Sequence, residues 1–193
     1  MKKKLEAALQ VLKKPGAVLL IPTETVYGLV CNWHDQAARE RIYQLKGRSE
    51  NKPLAMFAHS ADMAESCGVK LNSAARILLE KFAPGPITVI APAEGKYPTV
   101  GVRIPNHELV LELLKRCNFP LASTSANASG APNALTASEA LEQLNGQPDL
   151  VIDGGKLACD AMASTVVTVC ESPCRILRPG PVTEEMIKAV LHQ

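Results

Sequence analysis

Leu5, Ala8, Leu9 and Leu12 recur at the spacing of one helix face, and Pro15-Gly16 ends the run, which predicts a short amphipathic helix at the start of the chain. Ala17-Val18-Leu19-Leu20-Ile21 then forms an unbroken apolar run between Gly16 and Pro22, as expected for a strand covered on both faces. A stripe at Ala38, Ile42 and Leu45 predicts a helix ending near Lys46-Gly47, and residues 54–58 read as another buried strand. The alternation repeats: Ala74, Ile77, Leu78 and Phe82 mark a helix, Ala83-Pro84-Gly85-Pro86 a turn, and residues 87–90 a strand. Val100, Val102 and Ile104 show period two, which puts Arg103 on the opposite face.

Leu109, Val110, Leu113 and Leu114 predict the next helix, and residues 120–122 a short strand running into a loop rich in Ser, Thr and Asn. Thr136 followed by Glu139 is a capping box, with Leu141 and Leu144 as the apolar stripe and Gly146 as the stop. Strands are expected at 150–152, 165–169 and 175–177, and a last helix carries Met186, Ile187, Val190 and Leu191. This pattern predicts an α/β fold with a mixed sheet. With no internal repeat or long linker, residues 1–193 are read as one domain.

Composition narrows the function classes. At 193 residues, 47% hydrophobic and 21% charged, the chain suits a globular domain that needs no staple. A net charge of +2 is too small to argue for non-specific nucleic-acid binding, and 4% aromatics leave little for stacking bases. Glu6, Gln10, Lys13 and Lys14 interrupt what would be the apolar core of a signal peptide, and no apolar run approaches the roughly 18 residues of a membrane helix. A soluble, cytoplasmic protein with reduced thiols is expected. The six cysteines form no Cys-x-x-Cys pair, and Cys170 and Cys174 have no matching partners for zinc.

The familiar nucleotide loops are absent: there is no Gly-x-x-x-x-Gly-Lys-Ser/Thr and no Gly-x-Gly-x-x-Gly after a strand. His34, His59, His107 and His192 are scattered, which leaves a His-based nucleophile relay without support, and each reads as a surface or capping residue. Polar segments stand instead at strand ends, where α/β folds gather ligand contacts. The first is Pro22-Thr23-Glu24-Thr25-Val26-Tyr27-Gly28-Leu29, whose hydroxyls on their own more often satisfy a local turn. Lys46-Gly47-Arg48, with Lys52 beyond, suits phosphate oxygens as well as it suits the negative end of the preceding helix. Ser123-Thr124-Ser125-Ala126-Asn127 offers hydroxyls, an amide and open N–H groups to a phosphate, a ribose or a small amino acid, although a capped turn is the commoner use. Arg178-Pro179-Gly180-Pro181 adds a cation on a rigid turn. Together these describe a site for a polyanion, with no covalent nucleophile.

These segments, together with Pro84-Gly85-Pro86-Ile87-Thr88, Val102-Arg103-Ile104-Pro105, Asp153-Gly154-Gly155 and Ser164-Thr165, resemble the YrdC/TsaC family of threonylcarbamoyl-AMP synthases from about residue 10 to the end. The resemblance implies a YrdC-like domain, a twisted mixed sheet flanked by helices around a large basic cleft. It implies an L-threonylcarbamoyladenylate synthase, a nucleotidyltransferase that uses L-threonine, bicarbonate and ATP with Mg²⁺ and releases pyrophosphate. A separate transferase complex then modifies tRNA to N6-threonylcarbamoyladenosine, and binding of tRNA or double-stranded RNA is a further implied property.

Carried over by position, Lys46, Arg48, Lys52, Ser125, Asn127 and Arg178 hold ATP, and Thr23, Arg103, Ser123 and Ser164 hold threonine, with no protein-bound metal site. Departures from the family pattern are Ser49 where Pro often stands, Phe57 where His does, Ala163 where Glu does, and a short stretch between Pro92 and Arg103. The sequence resembles the short form that lacks an extra C-terminal domain. The competing reading is a non-catalytic RNA-binding or ribosome-maturation factor using the same cleft, which intact Lys46, Arg48, Ser125 and Asn127 disfavour. A carbamoyl-transferring module of hydrogenase maturation would sit in a much longer chain.

Overall fold

The structure is a computed structural model and describes residues 1–49 and 52–191, so His192 lies outside the described residues. In chain order the elements are α1 (Lys2–Leu12), β1 (Leu19–Ile21), β2 (Gly28–Asn32), α2 (Gln36–Lys46), β3 (Ala55–Phe57), α3 (Ala61–Ser66), α4 (Ser73–Phe82) and β4 (Ile87–Pro92). They continue with β5 (Thr99–Arg103), α5 (Glu108–Cys117), β6 (Leu121–Ser125), α6 (Ala137–Glu142), β7 (Leu150–Val151), β8 (Thr165–Thr168), β9 (Arg175–Arg178) and α7 (Glu184–Leu191). The helix starts are chemically marked: Asp35, Ser60, Asn72 and Thr136 each accept a backbone N–H from the first turn of α2, α3, α4 and α6. The predicted capping box forms in a shifted version, because the Glu139 carboxylate takes the N–H of Leu135, one residue before the cap. Gly47 ends α2 at φ 57°, a left-handed position that releases the chain toward Arg48.

Among the described residues, nine strands join one mixed sheet in the order β7-β1-β2-β6-β3-β5-β4-β8-β9. The both-faces-covered reading of residues 17–21 holds. Val18 and Leu20 pack with Ala38 and Ile42 of α2 on one side, and Leu19 and Ile21 pack with Leu9 of α1 and Leu113 of α5 on the other. Strand β2 adds to the expected elements, since its first two residues, Gly28 and Leu29, read as the end of the hydroxyl-rich turn. Helix α3 was also not expected, being too short to show a period.

Two helices differ in detail. Helix α4 turns Ala75, Leu78 and Leu79 inward and leaves Ile77 exposed, and α6 ends before Leu144 and Gly146.

The two faces of the sheet are covered unequally, and that inequality makes the site. Met56, Ile87, Val89, Val102 and Val167 press against a layer that includes Leu78 and Leu79 of α4 and Ile187 of α7. Helices α1 and α5 cover the opposite face only over β1, β2 and the end of β3 and β6, where Leu19, Val30, Phe57 and Leu121 are buried. Beyond them, the alternate residues Ala55, Ile90, Gly101 and Val166 stay half-exposed. A floor of small and apolar side chains is therefore left open, with strand-end loops around it.

Candidate functional site

Cations surround this open floor. Lys46, the last residue of α2, is only 3% exposed, and its ammonium donates to the Ser125 carbonyl at the end of β6. Burial pushes the Lys46 ammonium down to about 8, and the Arg48 charge adds to the drop. Arg48 donates to the Thr124 hydroxyl at 3.0 Å and to the Pro53 carbonyl, while its Nε is buried without a partner. Burial lowers its pKa, against an opposing contribution from Tyr43.

Arg103, 5% exposed at the end of β5, lies over the Phe57 ring at 5.4 Å and gives one Nη2 group to both Glu24 and Thr25, each at 2.8 Å. Arg178 donates to the Ser164 carbonyl at 2.8 Å and to its hydroxyl at 3.2 Å. Partial burial lowers the Arg178 pKa, and the charges of Arg103 and then Arg48 lower it further. The charges of Arg103, at the end of β5, and Arg48, in the loop after α2, therefore both reach Arg178 at the end of β9. Such an arrangement costs energy until an anion enters it.

A bulge aims Arg178 toward the open floor. Val167 pairs with Ile176 while its neighbour Val166 pairs with Arg178, so Leu177 is an extra residue in β9. Ile176 packs on the helix-covered face. In a regular strand Arg178, two residues on, would share that face; the inserted residue turns it to the half-exposed side of Val166.

The expected site residues fall into different situations. Ser164 is 2% exposed and its hydroxyl lies 2.8 Å from that of Thr88 on β4. Asn127 donates to the Ala131 carbonyl at 2.6 Å and keeps its Oδ1 buried and unpartnered. Ser123 points to the Ala55 carbonyl across the β3–β6 pair at 3.4 Å. The Thr23 hydroxyl is occupied within its own turn, donating to the Val26 carbonyl at 2.7 Å and accepting from the N–H groups of Thr25 and Val26. Lys52 is exposed in the loop after Arg48, and among the described residues its ammonium joins none of these contacts.

Glu24, Thr25, Thr88 and Thr124 contact the cations and hydroxyls of the site without having been singled out from the sequence. For Glu24 a signal existed: it is the one carboxylate in an otherwise neutral turn that follows a buried strand. Glu24 and Thr25 also line an open cavity of about 450 Å³ bordered by Pro86, Pro181 and the 157–162 segment.

Outside this region all six cysteines are free thiols. His34 is exposed, His59 is half-buried, and His107 stands at the N-cap of α5 without a side-chain capping bond. Among the described residues no three His, Cys, Asp or Glu side chains gather as a metal site, and no helix is long and apolar enough to cross a membrane.

Comparison with known proteins gives the same picture. The chain is 36% identical over 188 residues to the threonylcarbamoyl-AMP synthase of Pyrococcus abyssi, covering 93% of this chain and 55% of that protein. It is 33% identical to the enzyme of the same name from Bacillus subtilis, covering 93% and 54%. The chain thus spans about half the length of these relatives. Among solved structures, P. abyssi Sua5 complexed with L-threonine superposes with a TM-score of 0.88 at 35% identity, covering 98% of this chain and 57% of that one. Escherichia coli YciO shares the fold, with a TM-score of 0.83 at 23% identity, covering 94% of this chain and 91% of that one. The family profile Sua5/YciO/YrdC, described as telomere recombination, matches residues 10–180, and the chain belongs to that family.

Proposed function

We propose that the chain makes threonylcarbamoyl-AMP and pyrophosphate from L-threonine, bicarbonate and ATP, acting as a nucleotidyltransferase. The observation that carries the reading is the group of Lys46, Arg48, Arg103 and Arg178 around one open sheet face, where Glu24 accepts from Arg103. The relatives named threonylcarbamoyl-AMP synthase, and the relative complexed with L-threonine, support it.

In this reading Lys46, Arg48, Lys52, Ser125, Asn127 and Arg178 hold the nucleotide and its phosphates, and Thr23, Arg103, Ser123 and Ser164 hold the amino acid. The threonine amine forms a bond to the bicarbonate carbon as a C–O bond breaks, giving a carbamate and releasing water. A carbamate oxygen then forms a bond to the α-phosphorus as the bond to the β-phosphate bridging oxygen breaks, and pyrophosphate leaves with the electron pair. The cations reduce the cost of the charge that spreads over the phosphoryl oxygens, and alignment of the reactants supplies the rest. Mg²⁺ enters as the counterion of ATP, as part of the substrate.

The unpartnered Arg48 Nε and Asn127 Oδ1 are a donor and an acceptor with capacity left for a nucleotide. The product is a mixed anhydride, which a separate transferase complex passes to the adenosine beside the anticodon of tRNA in the cytoplasm.

The test is pyrophosphate release by the purified chain. Release is expected with ATP, Mg²⁺, L-threonine and bicarbonate together, and it stops when either threonine or bicarbonate is omitted. Pyrophosphate release independent of threonine, or none at high enzyme concentration, refutes the proposal.

A further inference from the structure

The Glu24–Arg103 pair is buried more deeply than a stabilising surface contact requires. Its side chains are 19% and 6% exposed, and the contact is a single bond from Nη2 to Oε1 at 2.8 Å. Removing two charges from water costs several kcal/mol per ion unless the remaining polar atoms are also satisfied. Here they are not: Glu24 Oε2 and Arg103 Nε are both buried without a hydrogen-bond partner. Thr25 also accepts from Nη2, and the Phe57 ring backs the guanidinium, so the arginine is held firmly while part of its donor set goes unused.

The carboxylate lines the cavity of about 450 Å³ together with Thr25, which accepts from Arg103, and a second carboxylate, Asp160, and no cation is among the lining residues. An acceptor carboxylate next to a guanidinium with spare donors matches one arrangement of ligand charge: a carboxylate and an ammonium one carbon apart, the head of a free α-amino acid.

We propose that Glu24 recognises the substrate amino group, its carboxylate accepting an N–H while Arg103 takes the α-carboxylate. This deepens the synthase reading and rests on it. It adds to Thr23, Arg103, Ser123 and Ser164 a residue that distinguishes an amino acid from a hydroxy or deamino acid of the same shape. The nitrogen keeps one N–H after carboxylation, so the same acceptor serves the amine and the carbamate. Glu24→Gln preserves the shape and an oxygen for Arg103, but it puts an amide N–H₂ where the second carboxylate oxygen stood.

The experiment is calorimetry on the whole chain with three probes, L-threonine, 3-hydroxybutanoate and ATP, in wild type and Glu24→Gln, with unfolding midpoints as the control for folding. A charge-assisted hydrogen bond implies that the substitution weakens threonine binding about 10- to 100-fold, and that wild type prefers threonine to 3-hydroxybutanoate by a similar factor. ATP affinity is expected to be unchanged in the variant. Equal wild-type affinity for threonine and 3-hydroxybutanoate overturns the assignment even if the variant fails to fold, and so does threonine binding that is unaltered by Glu24→Gln. Wild type that binds ATP but no threonine refutes the synthase reading itself and this assignment with it.

Discussion

Replacing Lys46 by Met should make the unliganded protein more stable and its nucleotide binding worse. Lys46 is 3% exposed, and its ammonium is pushed from 10.5 down to about 8, first by burial and then by Arg48. At roughly 1.36 kcal/mol for each pH unit, the charged side chain costs the fold about 3 kcal/mol at neutral pH. Methionine fills nearly the same volume without charge and gives up the bond to the Ser125 carbonyl, worth about 1 kcal/mol, so a net gain of about 2 kcal/mol is expected.

The sign can be checked against pH. The unfolded chain holds this proton up to 10.5 and the folded chain releases it near 8, so wild-type stability rises with pH between those values. The methionine side chain carries no titrating proton, so the advantage of Lys46→Met shrinks from pH 8 upward, is gone by about pH 9.5 and is reversed by about 1 kcal/mol at pH 10.5. Denaturant midpoints of both proteins at pH 7 and pH 10 measure the difference, in which every other titrating group cancels. Calorimetry should show ATP binding about 10- to 100-fold weaker in the variant at pH 7, and wild-type ATP affinity falling as pH passes 8. A variant less stable than wild type at pH 7, or a stability difference independent of pH, refutes the argument that the lysine is held charged against its own burial for the sake of an anion.

Deleting Leu177 removes the extra residue of β9 and lets Arg178 follow Ile176 directly, so Arg178 stays opposite Val166 on the open side and ATP affinity should remain close to wild type, whereas Arg178→Ala should lose it. Calorimetry showing a loss as large as in Arg178→Ala would show that pairing with Val166 does not aim the side chain. A methyl group on Gly180 would stand 2.4 Å from the Thr165 nitrogen and 2.6 Å from the Ala163 carbonyl oxygen. Gly180→Ala should therefore cost about 3 kcal/mol, read from the denaturant midpoint, and should weaken threonine binding by displacing Ser164; a change below about 1 kcal/mol would contradict the packing argument.

Periodicity determined most of the elements and the fold class, because burying a stripe on a helix or a run on a strand needs only local spacing. Residues 17–21 and the helix around Leu113 were legible for that reason. The resemblance, carried by the order of the strand-end motifs, pointed to Lys46, Arg48, Arg103, Ser164 and Arg178. It could not say that Thr23 uses its hydroxyl inside its own turn, or that Lys52 stays out in solvent.

The remaining features depend on contacts between residues far apart in the chain. β2 became a strand because β1 and β6 pair with its two edges, and a five-residue segment carries too little period to announce itself. Glu24 met Arg103 across 79 positions of chain, and Arg178 faces the site because one residue in β9 has no partner opposite it. Spacing along a chain reports which face is apolar. Whether helices cover that face along its whole length, and so leave a floor for a ligand, is settled only when the strands take their order in the sheet.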